Sequence, residues 1–520
     1  MRRISFILIL ACLFMRPSMV HSATDEYFTA AVYEFVQLYD YCPESQQEAD
    51  AVVKKNLDAF VRASNLAAEK GADLIAFPEY GIFPECDRET TKMFLEIVPD
   101  PHAERVIPCD NPMYERMPQL RTLSCIAKNH SMYLQANTGD IQMCRETNLT
   151  RCPEDGFLQM NTNVIFDREG AVIGRYHKEH LWGEEGMDLP IEEQFPIFKT
   201  DFGTFATFVC FDVVLARIIE VVDEPGVDGV VFSTMWENSA PLFTSVQYFQ
   251  SWAMGNNKSL IAADINLAGQ LAVGSGIFHG QEGALAYTFD PDGISKLVVA
   301  RVPKRGKKLT QPKASITAIT ENGTYAWTDD GEEIPYITSK SLQYHLPGDG
   351  DYYTDRYHQA DLVNYTLVQL TKPKDRLTAC NNGLCCILDY EVKHLNETFY
   401  FGVYNGTQGS FPPLFWCEED CLLVRCNPTF DKPCSDFPLL TDNLFHHVSL
   451  YANYTTPFVY PSIVSDRMRL VPRKEWEYDV INKGDVYDSK LSFSSEEGEK
   501  ILAVGLKGRC YDRDPPLSFF

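Results

Sequence analysis

The pattern of the sequence changes near residue 304, and this change constrains the fold more than any other feature. From Glu26 to about Pro303, short apolar runs alternate with stretches of helical periodicity. Beyond about residue 310, cysteines and aromatic residues become dense and long helical periodicity disappears. The first pattern predicts a layered α/β domain whose strands are buried on both faces. The second predicts a β-rich domain stapled by disulfides.

These patterns divide the chain into four parts. Residues 1–22 are predicted to be a signal peptide, residues 23–303 the first domain, residues 304–312 a basic, polar linker, and residues 313–520 a smaller second domain. The signal peptide follows from Arg2 and Arg3, which precede an apolar run that is too short to span a bilayer. Of the 520 residues, 45% are hydrophobic, which is enough for cores of this size.

Export and charge limit the classes of partner. No other stretch is long enough for a transmembrane helix, and the chain ends without the hydrophobic tail that a lipid-anchor signal needs, so we expect a secreted, soluble protein. The net charge is −26 and no basic patch interrupts it, so a nucleic-acid partner is not expected. Eight glycosylation sequons suggest a glycoprotein; they lie at Asn129, Asn148, Asn257, Asn322, Asn364, Asn396, Asn405 and Asn453.

The cysteine count predicts at least one thiol that is free or paired between chains. The chain has 16 cysteines, and removal of the signal peptide takes Cys12 away, so an odd number remains in an oxidising compartment. One group is dense enough to suggest zinc ligands: Cys380, Cys385, Cys386, Cys417, Cys421, Cys426 and Cys434. Their spacing is irregular and no histidine accompanies them at finger spacing, which favours disulfides. If Cys210 is the free thiol, seven disulfides are expected.

The first domain has a regular order of predicted elements. Helices are predicted at 46–70, 117–128 and 242–254. Strands are predicted at 27–36, 73–77, 132–136, 163–167, 172–176, 205–209, 227–233, 260–264, 274–278, 285–289 and 296–302.

Three reactive residues stand where predicted strands end. Glu79 follows an apolar strand and a proline, Lys178 follows a hairpin strand, and Cys210 directly follows an apolar strand. Taken singly, each has a more ordinary interpretation: an exposed loop carboxylate, a solvent-facing lysine, or a disulfide or core cysteine. His177 and His180 could act as bases or metal ligands, but no third ligand is spaced to join them.

Taken together, the three residues form a coherent chemical set. Cys210 could attack an amide carbonyl, Lys178 could stabilise the oxyanion, and Glu79 could carry protons between thiol, leaving amine and water. A helix that starts near Asp212 would lower the pKa of the thiol. The sequence contains neither a Gly-x-Ser-x-Gly motif nor a phosphate-binding P-loop.

At these residues the chain resembles the nitrilase superfamily, and within it the vanin and biotinidase branch. The matching motifs are Pro78-Glu79-x-Gly81-Ile82-Phe83, Arg175-Tyr176-His177-Lys178 and Cys210-Phe211-Asp212. Longer stretches typical of the branch surround them, among them Val98-Pro99-Asp100-Pro101, Trp252-Ala253-Met254-Gly255 and Gly274-Ser275-Gly276-Ile277. The resemblance covers about residues 26–303 and continues more weakly through the cysteine-rich part.

The resemblance implies a fold and an activity. It implies an α-β-β-α sandwich for residues 23–303, a catalytic set of Glu79, Lys178 and Cys210, and hydrolysis of a small linear carboxamide without metal or cofactor. In vanins the substrate is pantetheine, and in biotinidases it is biocytin or biotinylated peptides. A second glutamate after the lysine often supports such sites, and both Glu184 and Glu185 qualify.

One departure from the family concerns the pocket. After Gly274-Ser275-Gly276-Ile277 the family usually continues with Tyr-Ala-Pro, whereas this chain has Phe278-His279-Gly280. The resemblance implies that this segment lies near the pocket and affects substrate choice. We favour a vanin-like pantetheinase, because the segments 208–212 and 252–255 are closer to that branch. Three alternatives stay open: a biotinidase, a catalytically inactive secreted binding or adhesion protein, and an acyl-transferring enzyme that uses the same thioester.

Overall fold

The computed structural model describes residues 26–38, 41–144, 152–191, 196–267, 272–289, 293–320, 323–328, 352–353, 362–409, 414–427, 434 and 437–516. The predicted signal peptide and the sequons at Asn148 and Asn322 lie outside the described residues. Among the helices of the described part, none is long and apolar enough to cross a membrane.

The first domain contains an eight-stranded sheet, here called sheet I, whose central strands run parallel. Its strands lie in the order β14 (Gly323–Thr328), β13 (Ala314–Thr320), β12 (Ser295–Pro303), β1 (Tyr27–Glu34), β2 (Leu74–Ala76), β3 (Tyr133–Met143), β4 (Phe157–Phe166) and β5 (Val172–His177). Strands β1, β2 and β3 are parallel, and β4 is antiparallel to both β3 and β5. The carboxyl ends of β2, β3 and β5 therefore meet at one edge of the sheet.

A six-stranded sheet, sheet II, faces sheet I. Its strands lie in the order β11 (Gly283–Thr288), β10 (Ser275–His279), β9 (Ser259–Asp264), β8 (Gly229–Thr234), β7 (Thr204–Val209) and β6 (Ile197–Lys199). Strands β7, β8 and β9 are parallel, whereas β10 is antiparallel to β9. The carboxyl ends of β7, β8 and β9 therefore meet at one edge of sheet II, next to Cys210, whereas β10 ends at the opposite edge.

Helices cover the outer faces of both sheets. The described residues form the α-helices α1 (Gln46–Glu69), α2 (Arg88–Thr91), α3 (Pro118–His130), α4 (Ala216–Val222) and α5 (Ser245–Gly255). Strand β1 shows how the period of two separates the layers: Ala30 and Val32 pack between the sheets, whereas Ala31 and Tyr33 pack on the helical side with Phe60 of α1. The predicted α-β-β-α sandwich is confirmed.

All the helices and strands predicted between residues 27 and 302 are present, but two strands are longer than predicted. β3 continues seven residues beyond the predicted end, and β4 begins six residues before its predicted start. The added segments carry buried polar side chains such as Asn137, Asp140 and Asn161. Polar residues interrupt the apolar pattern, so periodicity alone could not extend these strands.

The predicted linker does not separate the two domains. Residues 304–312 connect β12 to β13, and these two strands pair with each other in sheet I. Strand β14 then pairs with β13, so the first sheet continues to Thr328. The basic composition of the stretch reflects an exposed connection within one sheet.

The second domain is built from two antiparallel sheets, as its composition predicted. A six-stranded sheet has the order β16 (Thr366–Gln369), β19 (Phe399–Gly409), β20 (Phe415–Arg425), β27 (Ile501–Arg509), β23 (Val459–Ser465) and β24 (Arg469–Leu470). A five-stranded sheet has the order β17 (Lys374–Asn381), β18 (Leu384–Val392), β22 (Phe445–Tyr454), β26 (Tyr487–Glu499) and β25 (Trp476–Asn482). A short pair, β15 (Tyr352–Tyr353) and β21 (Phe437–Pro438), completes the strands of the described residues.

Seven disulfides join described cysteines, and each of them lies within one domain. They join Cys42–Cys86, Cys109–Cys125, Cys144–Cys152, Cys380–Cys385, Cys386–Cys421, Cys417–Cys510 and Cys426–Cys434. The dense cysteine group is thus engaged in disulfides, as predicted. Among the described cysteines, Cys210 alone is free, which confirms the prediction from the odd count.

The second domain packs on helix α5. Residues 245–254 of this helix are all buried, including those that face away from sheet II. Its outer face contacts β23, where a side chain on Gly255 would clash with Tyr460 and where Gln247 donates a hydrogen bond to Ser462 over 3.1 Å. A helix that is buried all round has neighbours on every side, so the two domains share one core at this point.

Candidate active site

The three predicted site residues converge at the edge where the parallel strands end. Glu79 follows β2, Lys178 follows β5, and Cys210 follows β7 on the facing sheet. The Nζ atom of Lys178 lies 2.8 Å from Oε1 of Glu79. The backbone of Met235, just after β8, donates from its N–H to Oε2 of Glu79 over 2.8 Å and accepts from Sγ of Cys210 at 3.7 Å. Carboxylate, ammonium and thiol therefore belong to one contact network.

The structure decides between the two candidate supporting glutamates. Glu184 is buried and its Oε1 lies 3.1 Å from Nζ of Lys178, whereas Glu185 is exposed. Glu184 also accepts hydrogen bonds from the hydroxyl of Tyr80, at 3.0 Å, and from the backbone N–H of Trp182, at 3.1 Å. Lys178 is thus held between two carboxylates, which fixes the direction of its ammonium group.

Two asparagines belong to the site and were not predicted. The side-chain amide of Asn161 donates to Oε1 of Glu79 over 2.8 Å and to Oε1 of Glu184 over 2.7 Å. Asn137 donates to Oδ1 of Asn161 over 2.6 Å and accepts from the backbone N–H of Tyr80. The sequence does contain a signal, because a buried asparagine inside a strand needs hydrogen-bond partners. To recognise this signal, one must already know that the strand continues through the asparagine.

The electrostatics of the site follow from burial. Burial raises the pKa of Glu79, and the charge of Glu184 adds to this, whereas Lys178 and Asn161 act in the opposite direction. Burial alone would lower the pKa of Lys178, but the charges of Glu184 and Glu79 outweigh it and hold this pKa well above its usual value. Lys178 therefore stays charged, and the raised pKa of Glu79 makes its carboxylate a stronger proton acceptor.

The prediction that a helix start lowers the pKa of Cys210 is wrong. A short 3-10 turn, Cys210–Val214, follows the strand, and α4 begins only at Ala216. Burial, together with the charge of Glu79, raises the pKa of the Cys210 thiol well above its usual value, and Lys178 offsets this only in part. The resting group is therefore a thiol, which needs a base before it can attack a carbonyl.

The backbone at Cys210 and Tyr80 is strained. Cys210 has a φ of +47° and Tyr80 a φ of +51°, a left-handed conformation that residues with a side chain seldom adopt. Such conformations persist where the surrounding structure holds them, and they concentrate at functional sites. Here the strained conformation occurs at Cys210 itself and at Tyr80, the residue after Glu79.

His177 and His180 have structural partners. His177 Nε2 lies 2.8 Å from Oδ2 of Asp140, and His180 Nδ1 lies 2.8 Å from Oδ1 of Asp212. Asp212 also accepts a 2.6 Å hydrogen bond from the hydroxyl of Tyr176. Since Asp212 lies two residues after the thiol, these contacts tie the lysine loop to the cysteine loop.

Comparisons with known proteins found two family models, several relatives and solved structures that are similar to this chain. A family model described as carbon-nitrogen hydrolase matches residues 45–250, and one described as Vanin C-terminal domain matches residues 355–514. A pantetheinase of Mus musculus is 31% identical over 94% of this chain and 90% of its own length. A biotinidase of Takifugu rubripes is 30% identical over 86% of this chain and 88% of its own length. A solved amidase of the nitrilase superfamily, from Nesterenkonia, is 19% identical, covers 54% of this chain and 91% of its own, and gives a TM-score of 0.38.

The chain belongs to the vanin and biotinidase family of carbon–nitrogen hydrolases. It is a hydrolase of carbon–nitrogen bonds other than peptide bonds.

In this vanin-family hydrolase, Cys210 lines a cavity of about 170 Å³. First-domain residues on its wall include Trp182, Phe211, Trp236 and Phe243. The first domain also supplies Met235, Glu237, Ser239, Pro241 and Leu242. The second domain supplies Leu362, Tyr365, Gln408, Gly409, Trp416, Glu418 and Lys507. The site is therefore completed by both domains, which the sequence did not predict.

The segment Phe278-His279-Gly280 does not line this cavity, contrary to expectation. Strand β10 starts near the site at Ser275 and runs antiparallel to β9, so its carboxyl end lies at the opposite edge of sheet II. Phe278 packs on Phe249 in the core, and His279 borders a different cavity together with Lys258. The departure from the family pattern is thus remote from the thiol of this hydrolase.

Proposed function

We propose that this protein hydrolyses pantetheine to pantothenate and cysteamine through a thioester on Cys210. The observation that carries the proposal is the network in which Glu79 contacts both Lys178 and the backbone of Met235, while Met235 accepts from the thiol of Cys210. A base, an electrophilic cation and a nucleophile therefore share one buried site, as acyl transfer from an amide requires.

In the first half-reaction, the thiol of Cys210 attacks the carbonyl carbon of the scissile amide. Glu79 takes the thiol proton as the carbon–sulfur bond forms, and the carbonyl oxygen becomes an oxyanion beside Lys178. Glu79 then gives this proton to the amide nitrogen, so the carbon–nitrogen bond breaks and the free amine leaves. One well-placed donor to the oxyanion is worth roughly 3–4 kcal/mol of barrier height.

In the second half-reaction, Glu79 takes a proton from water, which attacks the thioester carbon. The carbon–sulfur bond breaks, the sulfur recovers the proton through Glu79, and the carboxylic acid is released. The raised pKa of Glu79 suits this exchange of roles, because the same group must accept and give a proton in each half-reaction.

Pantetheine is favoured because the relative named pantetheinase is 31% identical over nearly the whole chain. Biocytin is the second candidate, since the relative named biotinidase is almost as similar. Both substrates are linear carboxamides, so the chemistry at Cys210 is the same and only the acyl group and the amine differ.

We also propose that the mature protein is exported. Seven disulfides among the described residues indicate an oxidising compartment, and the predicted signal peptide gives the route. N-terminal sequencing of protein from the culture medium of expressing cells should begin after residue 22; retention of the protein inside the cells would contradict export.

A side-by-side assay tests the activity. Wild-type protein and Cys210→Ala are incubated with pantetheine or biocytin, and the released amine is measured. We expect wild-type turnover of pantetheine that exceeds turnover of biocytin, and no turnover by Cys210→Ala. Iodoacetamide should label Cys210 and stop the reaction.

The other outcomes identify the alternatives. Turnover of biocytin alone would identify a biotinidase. Absence of turnover of both amides by a folded protein would favour a binding or adhesion role. Formation of a new amide when another amine is added, at the expense of the free acid, would identify acyl transfer.

A further inference from the structure

The wall of the cavity opposite the first domain carries a buried ion pair. Glu418 of β20 and Lys507 of β27 both line the cavity, and their side chains are only 2% and 3% exposed. Lys507 contacts Oε1 of Glu418 directly, and its Nζ lies 3.5 Å from Oδ2 of Asp420. A charged pair is seldom placed in a protein interior without polar partners, and here it faces an open space beside the nucleophile.

Neighbouring side chains hold the pair in place. Trp416 donates its indole N–H to Oε1 of Glu418, and Tyr365 donates its hydroxyl to Oδ2 of Asp420 over 2.6 Å. The Nζ atom of Lys507 lies 4.1 Å from the centre of the Phe243 ring. These contacts hold the pair in place at the wall of the cavity.

A path of aromatic rings joins this pair to the nucleophile. Phe211 directly follows Cys210, and its ring centre lies 5.3 Å from that of Trp416 and 4.7 Å from that of Trp182. Trp416 in turn lies 6.0 Å from Phe243, the ring that Lys507 contacts. The wall of the cavity thus combines a thiol, several aromatic rings and a polar pair, as ligand pockets with a few orienting polar groups do.

We propose that Lys507 and Glu418 recognise the far end of the acyl group, and that this end is uncharged and carries hydroxyl or amide groups. The inference rests on the proposed function, because it concerns the group that Cys210 acylates. Between the two half-reactions the acyl group stays attached to Cys210 while the amine departs, so the cavity that Cys210 lines must hold the acyl group.

The charges of the site explain why the acyl end is neutral. An anion on the substrate would meet Glu418 and Glu237, which both line the cavity, and a cation would meet Lys507. A hydroxyl or amide can accept from Lys507 and donate to Glu418 at the same time. Burial raises the pKa of Asp420 to about 7, although Lys507 opposes this, so the cluster is close to neutral overall near that pH.

The test measures binding without chemistry. In the Cys210→Ala background, calorimetry compares pantetheine with its dideoxy analogue, 3,3-dimethylbutanoyl-β-alanyl-cysteamine, which has the same leaving amine but no hydroxyls. We expect pantetheine to bind at least about tenfold more tightly, because a site built for a hydroxyl rejects an analogue that lacks it. With Glu418→Gln and Lys507→Met added, this preference should fall below about twofold, and the dideoxy analogue should bind no worse than before.

Two further variants serve as a matched control and as a substitute in case the double variant does not fold. The matched control carries Glu391→Gln and Lys374→Met, the same substitutions at an exposed pair of the second domain, whose Oε2 and Nζ atoms lie 2.5 Å apart; it should keep the full preference. If the double variant at the cavity does not fold, as judged by circular dichroism, the isosteric Glu418→Gln alone should still reduce the preference several-fold.

The outcomes separate the two proposals. An unchanged preference in the variants, or equal weakening of both ligands, would overturn the recognition site, and so would failure of pantetheine to bind to Cys210→Ala. If Cys210→Ala binds pantetheine with the expected preference but wild-type protein does not cleave it, the proposed function fails and the recognition site stands. If wild-type protein cleaves both compounds equally well, the function stands and the recognition site fails.

Discussion

Two clusters in this molecule have the same composition, a buried lysine beside two carboxylates, but differ in their surroundings. In the first domain, Lys178 lies between Glu79 and Glu184; in the second, Lys507 lies between Glu418 and Asp420. The first is surrounded by hydrogen-bond donors that fix the carboxylates, chiefly Asn161 and the Met235 backbone.

The second cluster is surrounded by aromatic side chains. Trp416 and Tyr365 donate to its carboxylates, and the ring of Phe243 faces its ammonium group. The difference teaches that the charges alone do not define a catalytic site. The neighbours decide whether a lysine–carboxylate cluster moves protons or recognises a substrate.

The largest expected effect is on kcat, and one substitution in each cluster distinguishes the two. Glu79→Gln keeps the shape of the side chain but removes the base, so kcat for pantetheine should fall by about 10²–10⁴-fold. Glu418→Gln should mainly raise KM and change kcat by less than about tenfold, because it acts on binding. Steady-state kinetics measure both. A comparable loss of kcat in the two variants would abolish the distinction between the clusters.

A smaller effect concerns the pH dependence of the first cluster. Glu79 must be ionised to accept the thiol proton, so the acidic limb of kcat/KM reports its pKa. The charge of Glu184 raises this pKa and the hydrogen bond from Asn161 lowers it. Glu184→Gln should therefore move the limb to lower pH and Asn161→Leu should move it to higher pH.

The control for this pair of variants is Glu185→Gln, at the exposed neighbour of Glu184. It should leave the profile unchanged. Shifts of both active-site variants in the same direction would show that Glu79 is not the group that titrates.

The smallest effect concerns stability rather than activity and tests the second cluster. Burial raises the pKa of Asp420 from its usual value near 4 to about 7. The folded protein therefore holds a proton that the unfolded chain loses, and the resulting stabilisation is complete below pH 4, declines as the pH rises, and is lost above about pH 7. In Asp420→Asn this decline should disappear, so the fall in Tm between pH 5 and 8 should be smaller than in wild type.

Differential scanning calorimetry of both proteins across this pH range measures the effect, with Asp479→Asn, at an exposed position of β25, as the control. Parallel Tm profiles of wild type and Asp420→Asn would contradict a raised pKa at this residue.

The sequence predicted much of the fold because the signals involved are local. Strands such as β7 and β8 are continuous apolar runs, and α1 has a clear helical period, so their positions follow from the pattern. The signal fails at the far half of β3 and the first half of β4, where buried amides and carboxylates replace apolar residues. These are the strand segments that support the site, which is why they depart from the pattern.

By itself, the sequence determined where the reactive groups stand, since Glu79, Lys178 and Cys210 each follow a recognisable strand, and its odd cysteine count indicated at least one thiol that is free or paired between chains. Only the tertiary structure decided that Glu184 rather than Glu185 supports the lysine, that burial raises the pKa of Cys210, and that the second domain closes the cavity. The physical reason is that burial and hydrogen bonding depend on contacts between residues far apart in the chain. Lys507 and Cys210, almost 300 positions apart, line one cavity only because helix α5 and the turn after β7 pack against the second domain.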